Sequence, residues 1–329
     1  MPRGRAPPPG ASRRRNRRIG TRKNPGGPRR QSRRDEIVSW GLISEMGHVA
    51  IQTTRLEDSV FDATQVLGLR ETGRDEHTVF LAAADVHHEL MYQASEHDGI
   101  DHIGLVAADR GALAEVRRRI DAGGWEVVSE SPLEEGIEEG FAFEGPEGFI
   151  YEVYVGMARQ DAPQLGFGPD RFGHINIHPQ DVEAYKTFLT DVLDFRISDV
   201  IGDDFAYFLR CNADHHGIAL IAGRGTMHHH AWQAQSIVDL GKLGDRLDRL
   251  RRQMIWGPVR HGAGHNIAAY FVEPSGGVIE LYADLEQIYD DNRPPVVWNG
   301  DDNRWFSRWG VYRGQDFRTH GLFPAPRNR

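Results

Sequence analysis

Residues 172–196, FGHINIHPQDVEAYKTFLTDVLDFR, read as an alternating strand followed by a helical pattern, and residues 46–70, MGHVAIQTTRLEDSVFDATQVLGLR, show the same succession 126 positions earlier. At that offset His48 maps on His174 and VLGLR on VLDFR. Further on, IDHIGLV (100–106) matches MHHHAWQ (227–233) at an offset of 127, setting His102 against His229. PEGFIYEVY (146–154) matches PSGGVIELY (274–282) at 128, setting Glu152 against Glu280. The chain therefore contains two near-equal halves. Each half carries two strand-helix-strands units, with helices expected at 55–67, 109–122, 180–193 and 236–253, and with Gly68, Gly123 and Gly124 at helix ends. The expected fold is α+β: four tandem βαβββ modules, forming two duplicated domains of two modules each, at 46–157 and 170–290. In such a module the helix covers one sheet face while the other face curls around a cavity. In FGHINIHP, Ile175 and Ile177 point one way and His174, Asn176 and His178 the other.

The 329 residues, 39% hydrophobic and 26% charged, suit a globular protein of this size. No apolar run reaches the roughly 18 residues of a membrane span; VFLAAADV (79–86) stops at Asp85. A single cysteine, Cys211, excludes an internal disulfide framework and fits a reducing cytoplasm. The net charge of −9 averages two unlike pieces. Residues 1–34 hold 13 Arg or Lys and no acid, which leaves 26 basic against 48 acidic residues elsewhere. The basic head, rich in Pro and Gly, is expected to be a disordered tail: a polyanion-binding or targeting arm, or a dispensable extension upstream of Met46. The acidic body repels phosphate backbones, so neither nucleic acid nor membrane is an expected partner; a homo-oligomer is.

His174, His229 and Glu280 are the candidates for the chemistry. Each lies on a strand, at the start, middle and end of the second half, and two imidazoles with one carboxylate form the facial triad that holds Fe(II) with positions left open. Glu280 stands in an apolar strand, VIELY, where an unpaired carboxylate would be costly. Of the consecutive His228, His229 and His230, alternation admits the middle one or the outer two to a cavity, and only the middle position is histidine in both halves.

These modules, with GHI, HHHAWQ and VIELYAD, resemble the type I extradiol ring-cleaving dioxygenases of the vicinal oxygen chelate superfamily over about residues 46–290. The resemblance implies further site residues. HGIAL supplies His216 just before the second metal ligand, and RHG and AAYFVEP supply His261 and Tyr270, 19 and 10 residues before Glu280. It implies a catechol and dioxygen as substrates and Fe(II), with Mn(II) as an alternative, held by His174, His229 and Glu280. Tyr270 and His261 would bind the substrate oxygens and take a proton, and His216 would act as acid/base during ring insertion. A glyoxalase-like metal lyase or isomerase, or a non-catalytic protein binding a small aromatic, shares the fold but has no need of His216, His261 and Tyr270.

The first half keeps His48, His102 and Glu152, but the places 19 and 10 residues before Glu152 hold Leu133 and Ala142. It reads as a non-catalytic duplicate, and whether it binds metal is left open; His88 stands near the place of His216. Cys211 and His215 lack a third orienting residue, so a Cys/His nucleophile is not favoured. Residues 291–329 interleave tryptophans with arginines and are expected to form a lid or intersubunit arm across the second half. Phe208 and Trp256 near the site suggest an apolar ring pocket, with Arg260 turned outward, and hence neutral rather than carboxylated catechols.

Overall fold

Strand alternation does the first sorting. The computed structural model describes residues 41–161 and 166–327, so the basic head lies outside the described residues. In β9 (Arg171–His178), Ile175 and Ile177 enter the main core while His174, Asn176 and His178 line a cavity on the other side. In β1 (Ile43–Thr53), Val49 and Ile51 enter the same core.

Four modules follow the repeat. The first half is built from β1, α1 (Leu56–Phe61), β2 (Arg70–Arg74), β3 (Thr78–Ala82) and β4 (Leu90–Ala94), then β5 (Gly99–Ala107), α2 (Arg110–Gly123), β6 (Val127–Ser129), β7 (Ile137–Glu144) and β8 (Ile150–Met157). The second half repeats this with β9, α3 (Val182–Thr187), β10 (Arg196–Ile201), β11 (Ala206–Arg210) and β12 (Ile218–Ile221), then β13 (Thr226–Gln233), α4 (Ile237–Arg249), β14 (Trp256–Arg260), β15 (Ile267–Val272) and β16 (Val278–Ala283). Helices α1 and α3 each continue as a π-helical turn, Asp62–Leu67 and Phe188–Val192. Gly68 closes the first at φ 100°, and Gly124 closes α2 at φ 71°, both in the left-handed region where a Cβ is unwelcome. Helix α4 buries Leu240, Leu243 and Leu247 and ends at Arg249, short of the expected 253; Arg251, at φ 56°, breaks it.

Each module pairs its first strand parallel to its last, and each half joins its two first strands antiparallel, giving sheet orders β2-β3-β4-β1-β5-β8-β7-β6 and β14-β15-β16-β13-β9-β12-β11-β10, the second extended beyond β10 by a further strand, β17 (Val296–Trp298). Within one half, the first and last strands of both modules thus lie side by side at the sheet centre. That brings residues some fifty positions apart onto one row: His48, Gly104 and Glu152 in the first half, and His174, Ala231 and Glu280 in the second. The middle residue must be small, because a Cβ on Gly104 would meet the His48 ring. The helices of the two halves meet at the junction, where Arg246 bonds the Val66 carbonyl (2.6 Å) and Arg119 that of Asp191 (3.0 Å).

The C-terminal segment leaves the repeat. β17 (Val296–Trp298) extends the second sheet beside β10, and the chain then crosses the mouth of that sheet before Leu322 bonds Met227 and Ala325 bonds Ile100. Gly262 permits the crossing, since a Cβ there would run into the Arg304 carbonyl.

Candidate active site

Among the described residues, two groups of side chains converge closely enough to hold a metal ion. In the second half they are His174, His229 and Glu280, all buried. His174 Nε2 lies 3.3 Å and His229 Nε2 3.0 Å from the same carboxylate oxygen, Glu280 Oε2. The other oxygen, Oε1, accepts a hydrogen bond from Asn266 at 3.0 Å.

The three adjoining histidines obey alternation only in part. Both His228 and His229 line the cavity, whereas His230 turns to the core side, where its Nδ1 accepts from the Trp232 indole at 2.9 Å. The expectation that only the middle histidine or the outer two could face the cavity is therefore corrected. A β-bulge between Met227 and His229 inserts His228 as an extra residue opposite β9. The inserted ring has a use. His228 Nε2 donates to the Phe317 carbonyl (2.7 Å), which leaves His228 Nδ1 to accept from His229 Nδ1 (2.8 Å). The lone pair of His229 then sits on Nε2, aimed at Glu280.

His216, His261 and Tyr270 line the same cavity as the triad. The His216 ring stands 4.3 Å from that of His174, and its Nδ1 lies 3.1 Å from His215 Nδ1. His261 donates from Nδ1 to the Phe306 carbonyl (2.6 Å), so Nε2 is the acceptor facing the Tyr270 hydroxyl at 2.8 Å. Tyr270 stacks on Trp256 at 5.4 Å. Burial sets the protonation. Desolvation, reinforced by His174 and His215, holds His216 well below the usual imidazole range, and desolvation likewise lowers His261 despite the pull of Glu280. Burial and the Glu280 charge push the Tyr270 hydroxyl well up. For Glu280 burial acts upward, but His174 and His229 outweigh it and hold the carboxyl well below its usual range.

An aromatic-walled cavity of about 110 Å³ lies beside the triad. Its walls are Phe205, Phe208, Trp256, Trp305, Phe306 and Phe317, with Asn176 and His178 on the β9 row. Two arginines of the C-terminal segment, expected there as part of a lid but given no role in the site, also reach it, Arg313 and Arg318. They lie outside the repeat, so no duplicate marked them. Arg313 is half-buried, its guanidinium 4.9 Å from the Phe306 ring and 5.7 Å from Phe317, and no carboxylate among the described residues pairs with it. The expectation of a cavity wall without a cation is thereby overturned. Arg260 does turn away, bonding Asp284 at 2.7 Å. Cys211 is buried with its thiol pushed up by desolvation, and His215 faces Asp199 (3.1 Å) instead of the sulfur, so no Cys/His nucleophile forms.

Residues 171–281 match the family model of the Glyoxalase/Bleomycin resistance protein/Dioxygenase superfamily. A biphenyl-2,3-diol 1,2-dioxygenase of Paraburkholderia xenovorans is 30% identical over 239 residues, covering 66% of this chain and 80% of that protein. The Mn(II)-bound glyoxalase of Novosphingobium aromaticivorans is 29% identical with a TM-score of 0.77, covering 87% of this chain and 96% of that one. The substrate complex of homoprotocatechuate 2,3-dioxygenase from Brevibacterium fuscum shares the fold, with a TM-score of 0.80 at 22% identity over 86% of this chain and 93% of that one. The chain belongs to the extradiol ring-cleaving dioxygenases of the glyoxalase, bleomycin resistance protein and dioxygenase superfamily.

Proposed function

We propose that the second-half cavity cleaves the ring of a catechol with dioxygen, using Fe(II) or Mn(II) held by His174, His229 and Glu280. The supporting observation is the convergence of these three side chains with His216, His261 and Tyr270 on one aromatic-walled cavity. The donor set fits a divalent ion. Bonds of about 2.1 Å at right angles put neighbouring ligand atoms about 3.0 Å apart, which is the spacing of His229 Nε2 from Glu280 Oε2 (3.0 Å) and close to that of His174 Nε2 (3.3 Å). A lone pair on His229 Nε2 facing a carboxylate oxygen is repulsive unless a cation or proton lies between them. An ion held there would supply Lewis-acid chemistry, favouring the deprotonated catechol and gathering it with dioxygen at one centre.

The protein's own groups then manage protons. A catechol gives up protons on chelation, and His261 Nε2 is the acceptor placed to take one, directly or through the Tyr270 hydroxyl 2.8 Å away. The Phe306 carbonyl fixes the His261 tautomer, so the C-terminal segment takes part in the chemistry by orienting a base. His216, across from His174, is neutral and available to exchange a proton on the dioxygen side. Trp256, Phe306 and Phe317 hold the ring and exclude water. The half-buried Arg313 favours a substrate whose side chain ends in an anion. The single buried Cys211 suits a reducing cytoplasm, and a homo-oligomer remains our expectation.

Anaerobic loading with Fe(II) or Mn(II), followed by air and a panel of catechols, tests this reading. A yellow ring-fission product is expected; metal uptake without ring cleavage of any catechol would favour the glyoxalase-like alternative.

A further inference from the structure

The first half holds a cluster that ring cleavage does not use. His48, His102, Glu134 and Glu152 each offer a ligand atom, all within 4.8 Å of one another. We propose that these four residues bind a second divalent metal ion, in a closed site that stabilises the first half and takes no part in turnover.

The spacing is that of a coordination shell. His48 Nε2 lies 2.9 Å from His102 Nε2 and 3.4 Å from Glu152 Oε2, and His102 Nε2 lies 3.3 Å from Glu134 Oε2. Ligands about 2.1 Å from a common ion sit about 3.0 Å apart at octahedral angles and about 3.4 Å apart at tetrahedral ones. His48, His102 and Glu152 are fully buried, and Glu134 Oε2 and Glu152 Oε2 are both buried without a hydrogen-bond partner. The ion-pair partners of the two carboxylates among the described residues are these same histidines. Two carboxylates enclosed together without Lys or Arg are costly, and a divalent cation would neutralise both.

The outer contacts of His102 and Glu152 suit metal ligands. Asp101 Oδ2 lies 2.8 Å from His102 Nδ1 and fixes the proton there, which turns the Nε2 lone pair to the cluster. Gln52 in turn holds Asp101 at 2.6 Å, and the Leu133 amide donates to Glu152 Oε1 at 2.7 Å, leaving Oε2 for the ion. A His2Glu2 set with four protein ligands suits Zn(II), Mn(II) or Fe(II), and four ligands are the mark of a structural site.

Metal counting decides the matter. The full chain, stripped by chelator and dialysis, is reloaded with Mn(II) in one arm and Zn(II) in another, desalted, and its metal measured by plasma mass spectrometry. Two ions per chain are expected in at least one arm, falling to one in Glu280→Gln, to one in His48→Ala/His102→Ala, and to none in the combined variant. Should the first-half variant fold poorly, anomalous diffraction at the metal edge on wild-type crystals should place a peak among the four residues. A wild-type count of one that vanishes in Glu280→Gln, a count of two unmoved by the first-half substitutions, or a wild-type map without that peak would each overturn the proposal.

Discussion

The two halves share a skeleton down to its irregularities and differ where chemistry would be done. Each has a bulge one residue before its second histidine: Asp101 in β5, His228 in β13. Each sets a pair of adjacent imidazoles beside its first histidine, with the His88 ring 4.6 Å from His48 and the His216 ring 4.3 Å from His174. Each also holds the outer oxygen of its glutamate with a donor, Leu133 N or Asn266 Nδ2. The contrast begins at the open face. Ala142 pairs with Glu152 where Tyr270 pairs with Glu280, and Glu134 adds a carboxylate to the first cluster. Beside β1, Ala50, Phe80 and Met91 close into a buried apolar knot; at the matching places Asn176, Phe208 and Ala219 line an open cavity. A duplicated frame can thus hold a metal at both ends, but access and proton-transfer groups belong to one of them.

The sharpest way to break this contrast is to exchange the first ligands. His174→Ala should lower kcat/KM on the order of 10³-fold or more, since a lost metal forfeits several kcal/mol of transition-state stabilisation. His48→Ala should cost far less in turnover and should show instead as a lower Tm. The reverse ranking, measured side by side at saturating metal, would mean that the catalytic half has been misassigned.

Next in size come the groups that the first half lacks. His261→Gln and Tyr270→Phe should each reduce kcat by roughly 10²- to 10³-fold while metal content stays at the wild-type level, as expected for lost general acid/base help. Parallel loss of metal would make them structural supports. His216 and His261 both lie below the usual imidazole range and must be neutral to accept a proton. Activity is therefore lost as pH falls through their values, and the acid limb of kcat/KM should fall below pH ~6.5, the unperturbed value. An acid midpoint above that would show that burial does not govern these rings.

Filling the cavity should make the second half resemble the first. Ala219→Met introduces the side chain that Met91 supplies beside β1, and should lower kcat/KM roughly 10- to 10²-fold by displacing the ring, with metal retained. Unaltered kinetics would remove Met91 from the explanation of why the first half is closed.

Much of this was legible in the sequence because duplication made it redundant. The offset of 126 to 128 located the modules, and the 10-residue interval from Tyr270 to Glu280 survives as a direct cross-strand pair. Alternation placed Asn176 and His178 on the His174 side. It failed at His228, because a bulge adds a residue without changing composition. Glu134 escapes the sequence reading although it adjoins Leu133, since the 19-residue interval back from Glu152 looks for a histidine counterpart and the first half uses a carboxylate one place later. Arg313 and Arg318 had no duplicate to mark them, and their place depends on how the C-terminal segment crosses the cavity mouth.

The smallest expected effect concerns those arginines. Apolar walls argued for neutral catechols, but a half-buried guanidinium without a carboxylate partner among the described residues changes the balance. Arg313 is held by aromatic faces, which cost it little mobility and leave its N–H edge free for an anion. Because it remains partly exposed, solvent screening keeps the gain modest, about tenfold. Arg313→Met should lower kcat/KM for homoprotocatechuate by about that factor and leave 3-methylcatechol within about twofold. Equal losses on both substrates would assign Arg313 to shaping the cavity mouth, and a wild-type preference for 3-methylcatechol would restore the neutral-ring reading.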